Sequence, residues 1–126
     1  MAVYVDDARR PLGRMLMSHM WADSKSELLA MADRIGLSRR WMQQPPTATW
    51  LHFDVCQATR DRAIAAGAIS VDQTEAVAHR ARLDVASGIS SRVARGEKVL
   101  FDIASRRARE RAVSRGQSDL FGGPGG

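Results

Sequence analysis

The sequence predicts an α/β protein: a small mixed sheet with helices, followed by a helical C-terminal extension and a flexible tail. Three observations carry this. Short apolar runs such as Val3-Tyr4-Val5 and His52-Phe53-Asp54-Val55 have strand length and lie between turn-forming residues. They alternate with segments of helical apolar spacing that open on capping boxes, Ser24-Lys25-Ser26-Glu27 and Asp72-Gln73-Thr74-Glu75. After Asp72 the helical spacing alone continues, up to a Gly/Pro-rich end.

In order, Val3–Val5 reads as a strand that stops at Asp6-Asp7, and Pro11-Leu12-Gly13 as a turn. Residues 15–20, a run of Met, Leu, Ser and His, fit either a buried strand or a short helical turn. Ser24 caps a helix that presents Leu28, Met31, Ala32 and Ile35 on one face and ends at Gly36. Arg40-Trp41-Met42-Gln43 reads as a strand, residues 45–49 as a Pro-rich loop, and His52–Val55 as another strand. A helix from Ala58 to Ala66 ends at Gly67, and residues 68–71 form a last strand. The helix after Asp72 sets Val77, Ala81, Val85 and Ile89 along one face, with a break expected at Gly96. A further helix carries Val99, Leu100, Ile103 and Ala104, and its continuation beyond Arg106 has too thin an apolar face to be held firmly.

A length of 126 residues suits one compact domain plus a tail, which divides the chain into residues 1–71, a basic helical extension at 72–113 and a tail at 114–126. The acidic start, Asp6-Asp7, is unlike a signal peptide, and apolar runs fall short of the ~20 residues of a membrane span. Cys56 is the single cysteine, so no internal disulfide forms. These features lead us to expect a cytoplasmic protein of a bacterium or phage with no membrane partner. The net charge of +5 is unevenly placed: residues 1–78 hold nine Lys+Arg against nine Asp+Glu, residues 79–126 ten against five. A basic excess confined to one helical region suits a polyanion, and Arg106, Arg107, Arg109 and Arg111 are the candidate DNA contacts. A solvated basic helix is the plainer alternative.

Asp6, Asp7, His19, Asp23, His52 and Asp54 are residue types that hold a divalent metal or act as acid and base. His52 and Asp54 are two apart and share a strand face. They are the candidates for a hydrolase or nuclease pocket; no cofactor is expected, a divalent metal being the one they would admit. The alternatives are a ligand-binding pocket without catalysis, and Asp6 and Asp54 capping turns or pairing with Arg9, Arg10, Arg14 or Arg40. Trp21, Trp41 and Trp50 have the rings to stack bases, but, like Met15, Met17, Met20 and Met31, they read more simply as core or core-edge residues.

The segments Val3–Asp7, Gly13-Arg14-Met15, Ser18-His19-Met20, Ala22-Asp23, Glu27-Leu28, Met31–Gly36 and His52-Phe53-Asp54 resemble a bacterial and phage family known as domain of unknown function 4031. The resemblance covers residues 2–70, leaves the region after Val71 outside, and brings no activity with it. At the other end, Gln117-Ser118-Asp119-Leu120-Phe121 resembles the motif by which bacterial replication and repair proteins dock on the DNA polymerase sliding clamp. The resemblance implies that Gln117 fills a small polar pocket while Leu120 and Phe121 enter a hydrophobic cleft. Ser118 replaces the Leu often found there, which implies ordinary affinity. The alternative is that Leu120 and Phe121 fold back on the domain.

Two functions of different class follow. In the favoured one the chain is an interaction protein that occupies the clamp's peptide pocket and so modulates or inhibits DNA replication. In the other it is a nucleic-acid- or nucleotide-processing enzyme that its tail delivers to the clamp. A plain DNA-binding accessory protein is a third, weaker reading.

Overall fold

The computed structural model describes the backbone of residues 2–122 and the side chains of residues 2–115. It is mixed α/β, in the order β1 (Val3–Val5), β2 (Arg10–Leu12), β3 (Met15–Ala22), α1 (Lys25–Arg34), a single 3-10 turn (Arg39–Trp41), β4 (Phe53–Cys56), α2 (Gln57–Ala65), β5 (Ile69–Ser70), α3 (Gln73–Ala86) and α4 (Ser90–Gly122). The chain divides into two compact units, Met1–Ala76 and Val77–Gly126.

The first unit is organised on β3. One end of this long strand pairs antiparallel with β2 (Leu12↔Met15), the other with β1 (Val3↔Ala22), and its middle with β4 (His19↔Asp54). β5 adds to β1 in parallel, so the sheet is mixed. Because side chains alternate along a strand, Met20 on β3 falls on the same face as Val3 and Val5 on β1 and Phe53 and Val55 on β4. That face buries against Leu28, Met31, Ala32 and Ile35 of the α1 segment and Ala63 of α2. Each fully buried apolar side chain contributes about 1.5–3 kcal/mol. The opposite face carries His19 and Trp21 of β3 and Asp54 and Cys56 of β4, and this is where the polar chemistry of the chain collects.

α1 begins where the capping box placed it: the Ser24 hydroxyl accepts a hydrogen bond from the Glu27 amide. The chain leaves the helix through Gly36, whose φ of 73° suits glycine. Several expectations need correcting. Pro11 and Leu12 are not a turn but part of edge strand β2, where proline's missing N–H is harmless; the turn is at Gly13 (φ 60°). Arg40–Gln43 is not a strand. It begins as the 3-10 turn, closed by the Met42 amide on the Arg39 carbonyl, and only Gln43 pairs, in an isolated bridge to His52. Residues 15–20, left open, belong to a strand. Met15 and Trp41 do not fill the core: they are 49% and 58% exposed.

In the second unit the helix break falls at Gly88 (φ 71°), not at Gly96. Gly96 lies inside α4, and a Cβ there would sit 2.5 Å from the backbone oxygen of Ala81 on α3. Its role is close approach of two helices, which outweighs its poor helix propensity. Beside it the buried Asp84 carboxylate accepts from Arg92 Nε at 3.0 Å and Arg95 Nε at 3.3 Å, tying α3 to α4. Arg106, Arg107, Arg109 and Arg111 all lie exposed on α4. That helix continues into the segment expected as a tail, and the side chains of Gln117 to Phe121 lie outside the described residues.

Gly96→Ala tests the close approach. In an open helix this change stabilises by roughly 1 kcal/mol. Here the added methyl meets a backbone carbonyl that has no rotamer to escape into, so a loss of about 1–3 kcal/mol is expected in denaturant unfolding. A stabilised variant would show that the helices do not pack this way.

Candidate metal centre

The site lies on the second face of the sheet, across neighbouring strands. β3 contributes His19, the residue before β4 contributes His52, and β4 contributes Asp54 opposite His19 in register. Asp6 follows β1, and its amide donates to the His19 carbonyl, which extends that pairing by one residue. Strand alternation therefore brings together groups separated by up to 48 positions in the chain.

His19, His52 and Asp54 each offer one donor atom, and all three atoms lie within 4.8 Å of one another. His52 Nε2 is 3.3 Å from Asp54 Oδ1, and His19 Nε2 is 3.9 Å from the same oxygen. An ion bonded at about 2.0–2.2 Å to each donor sets donor separations near 3–3.5 Å. The His52–Asp54 distance already fits, a small movement of the half-exposed Asp54 side chain brings the His19–Asp54 distance into range, and the two histidine donors lie within 4.8 Å of each other.

Outer partners fix the orientation of each donor. His19 Nδ1 lies 2.7 Å from Asp6 Oδ2. Asp6 Oδ1 accepts from the His19 amide at 2.9 Å and the Ala8 amide at 3.2 Å. Burial alone would raise the Asp6 pKa, but the hydrogen bonds from the His19 ring and from these two amides outweigh it, and the carboxyl titrates below its ordinary 3.8. An ionised Asp6 carboxylate only accepts, so His19 Nδ1 carries a proton and Nε2 is the ring atom turned toward Asp54. His52 Nδ1 is 3.0 Å from the Trp50 carbonyl oxygen, which can only accept, so Nδ1 carries the proton there too. Trp50 stacks on the His52 ring with centroids 4.2 Å apart. Gln43 Nε2 donates to Asp54 Oδ2 at 2.6 Å and turns Oδ1 toward the histidines. Two imidazole nitrogens and a carboxylate oxygen thus lie together. With both rings neutral they would offer three lone pairs to one cation, and a backing acceptor or donor behind every ligand is the usual outer shell of a metal site.

Of the six candidates, the structure assembles His19, His52 and Asp54 as donors and Asp6 as a support rather than a ligand. Asp7 is exposed and takes no part in the cluster. Asp23 lies beyond the end of β3, where it accepts from the Ala2 amide at 2.9 Å and Tyr4 Oη at 3.3 Å, which makes it a tie between strands. Sequence reasoning missed Gln43 and Trp50. By sequence Gln43 reads as one residue of a strand, and its contact with Asp54 follows only from the bridge that sets it beside His52.

Two outcomes check the support role of Asp6. Asp6→Asn should lower metal affinity about 10–100-fold while the fold persists, measured by calorimetric metal titration and circular dichroism. It should also change acid stability. A carboxyl whose folded pKa is depressed adds stability that is fully present above its unfolded value, here 3.8, and that is lost as pH falls through the lower folded value. Below pH 3.8 the wild type should lose stability more steeply than the variant.

Residues 3–83 match the family described as protein of unknown function (DUF4031). The match runs past Val71, where the resemblance was expected to stop, and takes in most of α3. No curated protein and no solved structure matches the chain. All residues of the candidate centre, from Asp6 to Asp54, fall within the matched span, and the chain belongs to the DUF4031 family.

Proposed function

We propose that the first unit is a divalent-metal centre that hydrolyses phosphate esters of nucleotides or nucleic acid, and that the C-terminal peptide docks the chain on the bacterial sliding clamp. The observation that carries the first part is the convergence of His19 Nε2, His52 Nε2 and Asp54 Oδ1. Two nitrogens and one oxygen suit Zn²⁺, Mn²⁺ or Fe²⁺ better than Ca²⁺ or Mg²⁺. Three protein ligands leave at least one position for water, the pattern of catalytic rather than closed structural sites. Held by His19, His52 and Asp54, a divalent ion would lower the pKa of a bound water and would polarise a phosphoryl oxygen. The chain's own residues set the donor geometry through Asp6, Gln43 and Trp50, and the exposed edge of Asp54 leaves the site open to substrate.

Metal uptake tests this part. The wild-type chain should take up about one Zn²⁺ or Mn²⁺, and His52→Ala should reduce affinity by at least about 100-fold, because removing one of three donors leaves too few to hold the ion. Equal uptake by both proteins in calorimetry would place the ion elsewhere or nowhere.

The second part rests on Gln117, Asp119, Leu120 and Phe121, which match the clamp motif position by position, with Ser118 as the departure. Burial of Leu120 and Phe121 contributes about 1.5–3 kcal/mol each, and ordering the peptide offsets some of it. Binding of micromolar order, about −8 kcal/mol, is expected for the peptide. The clamp-bound form is extended, so docking includes unwinding the end of α4, a step made easier by Gly116 and Gly122. The exposed Arg106, Arg107, Arg109 and Arg111 add salt-sensitive DNA contact. An occupied clamp pocket excludes polymerases, so docking modulates replication. Replacing Leu120 and Phe121 together by Ala should abolish clamp binding and leave metal uptake unchanged. Binding by the double variant equal to wild type would refute the docking.

A further inference from the structure

We propose that the groove beside Asp54 holds the base of a free mononucleotide whose phosphate reaches the metal; this inference rests on the metal centre proposed above. The groove has a volume of about 420 Å³; Leu12, Met15, Met17 and Trp41 are among its apolar lining, and Gln43, Asp54, Cys56 and Thr59 are its polar lining. Asp54 is a candidate donor of the cluster and Gln43 is its partner, so the groove and the proposed metal centre share the Asp54 carboxylate.

Three features select the ligand. The first is the wall. Leu12, Met15 and Trp41 are large apolar side chains left 59%, 49% and 58% exposed within one groove, where an apolar ligand would cover them. Thioether and indole surfaces favour a flat, polarisable ring. The second is charge. Two neutral imidazoles and one carboxylate reduce a divalent ion to a net charge of about +1, which calls for an anionic group at that end. The Arg40 guanidinium, 4.8 Å from the Trp41 ring centroid, adds a second cation beside the wall. The third is size. Pockets for small ligands span about 300–1,000 Å³, and this one is near the lower limit, with room for one ring system and its sugar rather than a stack of bases. A fatty chain leaves the cationic end unmatched. A sugar phosphate leaves the Met and Trp wall unmatched. A flat ring with an anionic arm satisfies both.

The test uses the full chain loaded with Mn²⁺ and calorimetric titration with AMP, adenosine and ribose 5-phosphate. AMP should bind at least about tenfold more tightly than either fragment, since one stacked base is worth about 1–3 kcal/mol. Trp41→Ala and Met15→Ala should each bring AMP toward the affinity of ribose 5-phosphate and leave the Mn²⁺ isotherm unchanged, as both side chains are exposed and neither is a donor. Mn²⁺ uptake with AMP bound no better than ribose 5-phosphate, or AMP affinity insensitive to both substitutions, would overturn the groove assignment alone. Absence of Mn²⁺ uptake would overturn the metal centre and this inference together.

Discussion

The two-residue alternation of β3 is the constraint on which the first unit depends. Eight residues must serve two unlike environments at once. Met20 goes inward against α1 and α2, with Ser18 on the same face, while His19 and Trp21 point to the other side. A slip of one residue would bury His19 among aliphatic side chains and expose Met20, so the apolar face fixes the register of the polar one. The strand is paired by β2 and β1 toward its two ends and by β4 in the middle, which leaves it little freedom to slip. The core therefore positions the donor cluster, although none of the core residues belongs to it.

Asp6 joins that frame to the chemistry. One carboxylate oxygen accepts two backbone amides and fixes the path of the chain after β1; the other accepts from His19 Nδ1 and sets the tautomer of the ring. On the same residue, Arg60 Nε of α2 donates to the backbone oxygen at 2.7 Å. A short carboxylate at a strand end thus does for His19 what the Trp50 carbonyl does for His52 and the Gln43 amide for Asp54. All three side chains are held from behind, each by a partner of its own. Such outer partners are what a metal site uses to orient its ligands, and they would hold this donor set in place for a cation.

The second unit follows a different logic. α3 and α4 approach closely because Gly96 has no side chain, and the buried Asp84 is compensated by two arginines from α4. The remaining arginines of α4 are spread along an exposed helix. This separates the charge that ties helices together from the charge available to a polyanion, a division that net charge alone does not make.

Local chemistry was legible in the sequence. Ser24 and Glu27 specify where α1 starts, Gly36 and Gly67 where helices end, and the spacing of Leu28, Met31, Ala32 and Ile35 which face is buried, because caps and periodicity act over a few residues. The same reasoning put His52 and Asp54 on one face. It misplaced Pro11, since an edge strand tolerates what a central strand does not, and Gly96, since helix propensity is silent about a neighbouring helix. It could not choose among six polar candidates. That choice depends on strand pairing across 35 residues between His19 and Asp54, and on the bridge that carries Gln43 to His52. Residue types and spacing thus determined which groups were available for chemistry. Only tertiary structure decided that His19, His52 and Asp54 meet, that Asp6 and Gln43 stand behind them, and that Asp7 and Asp23 stay away, because donor convergence is a property of register between distant strands.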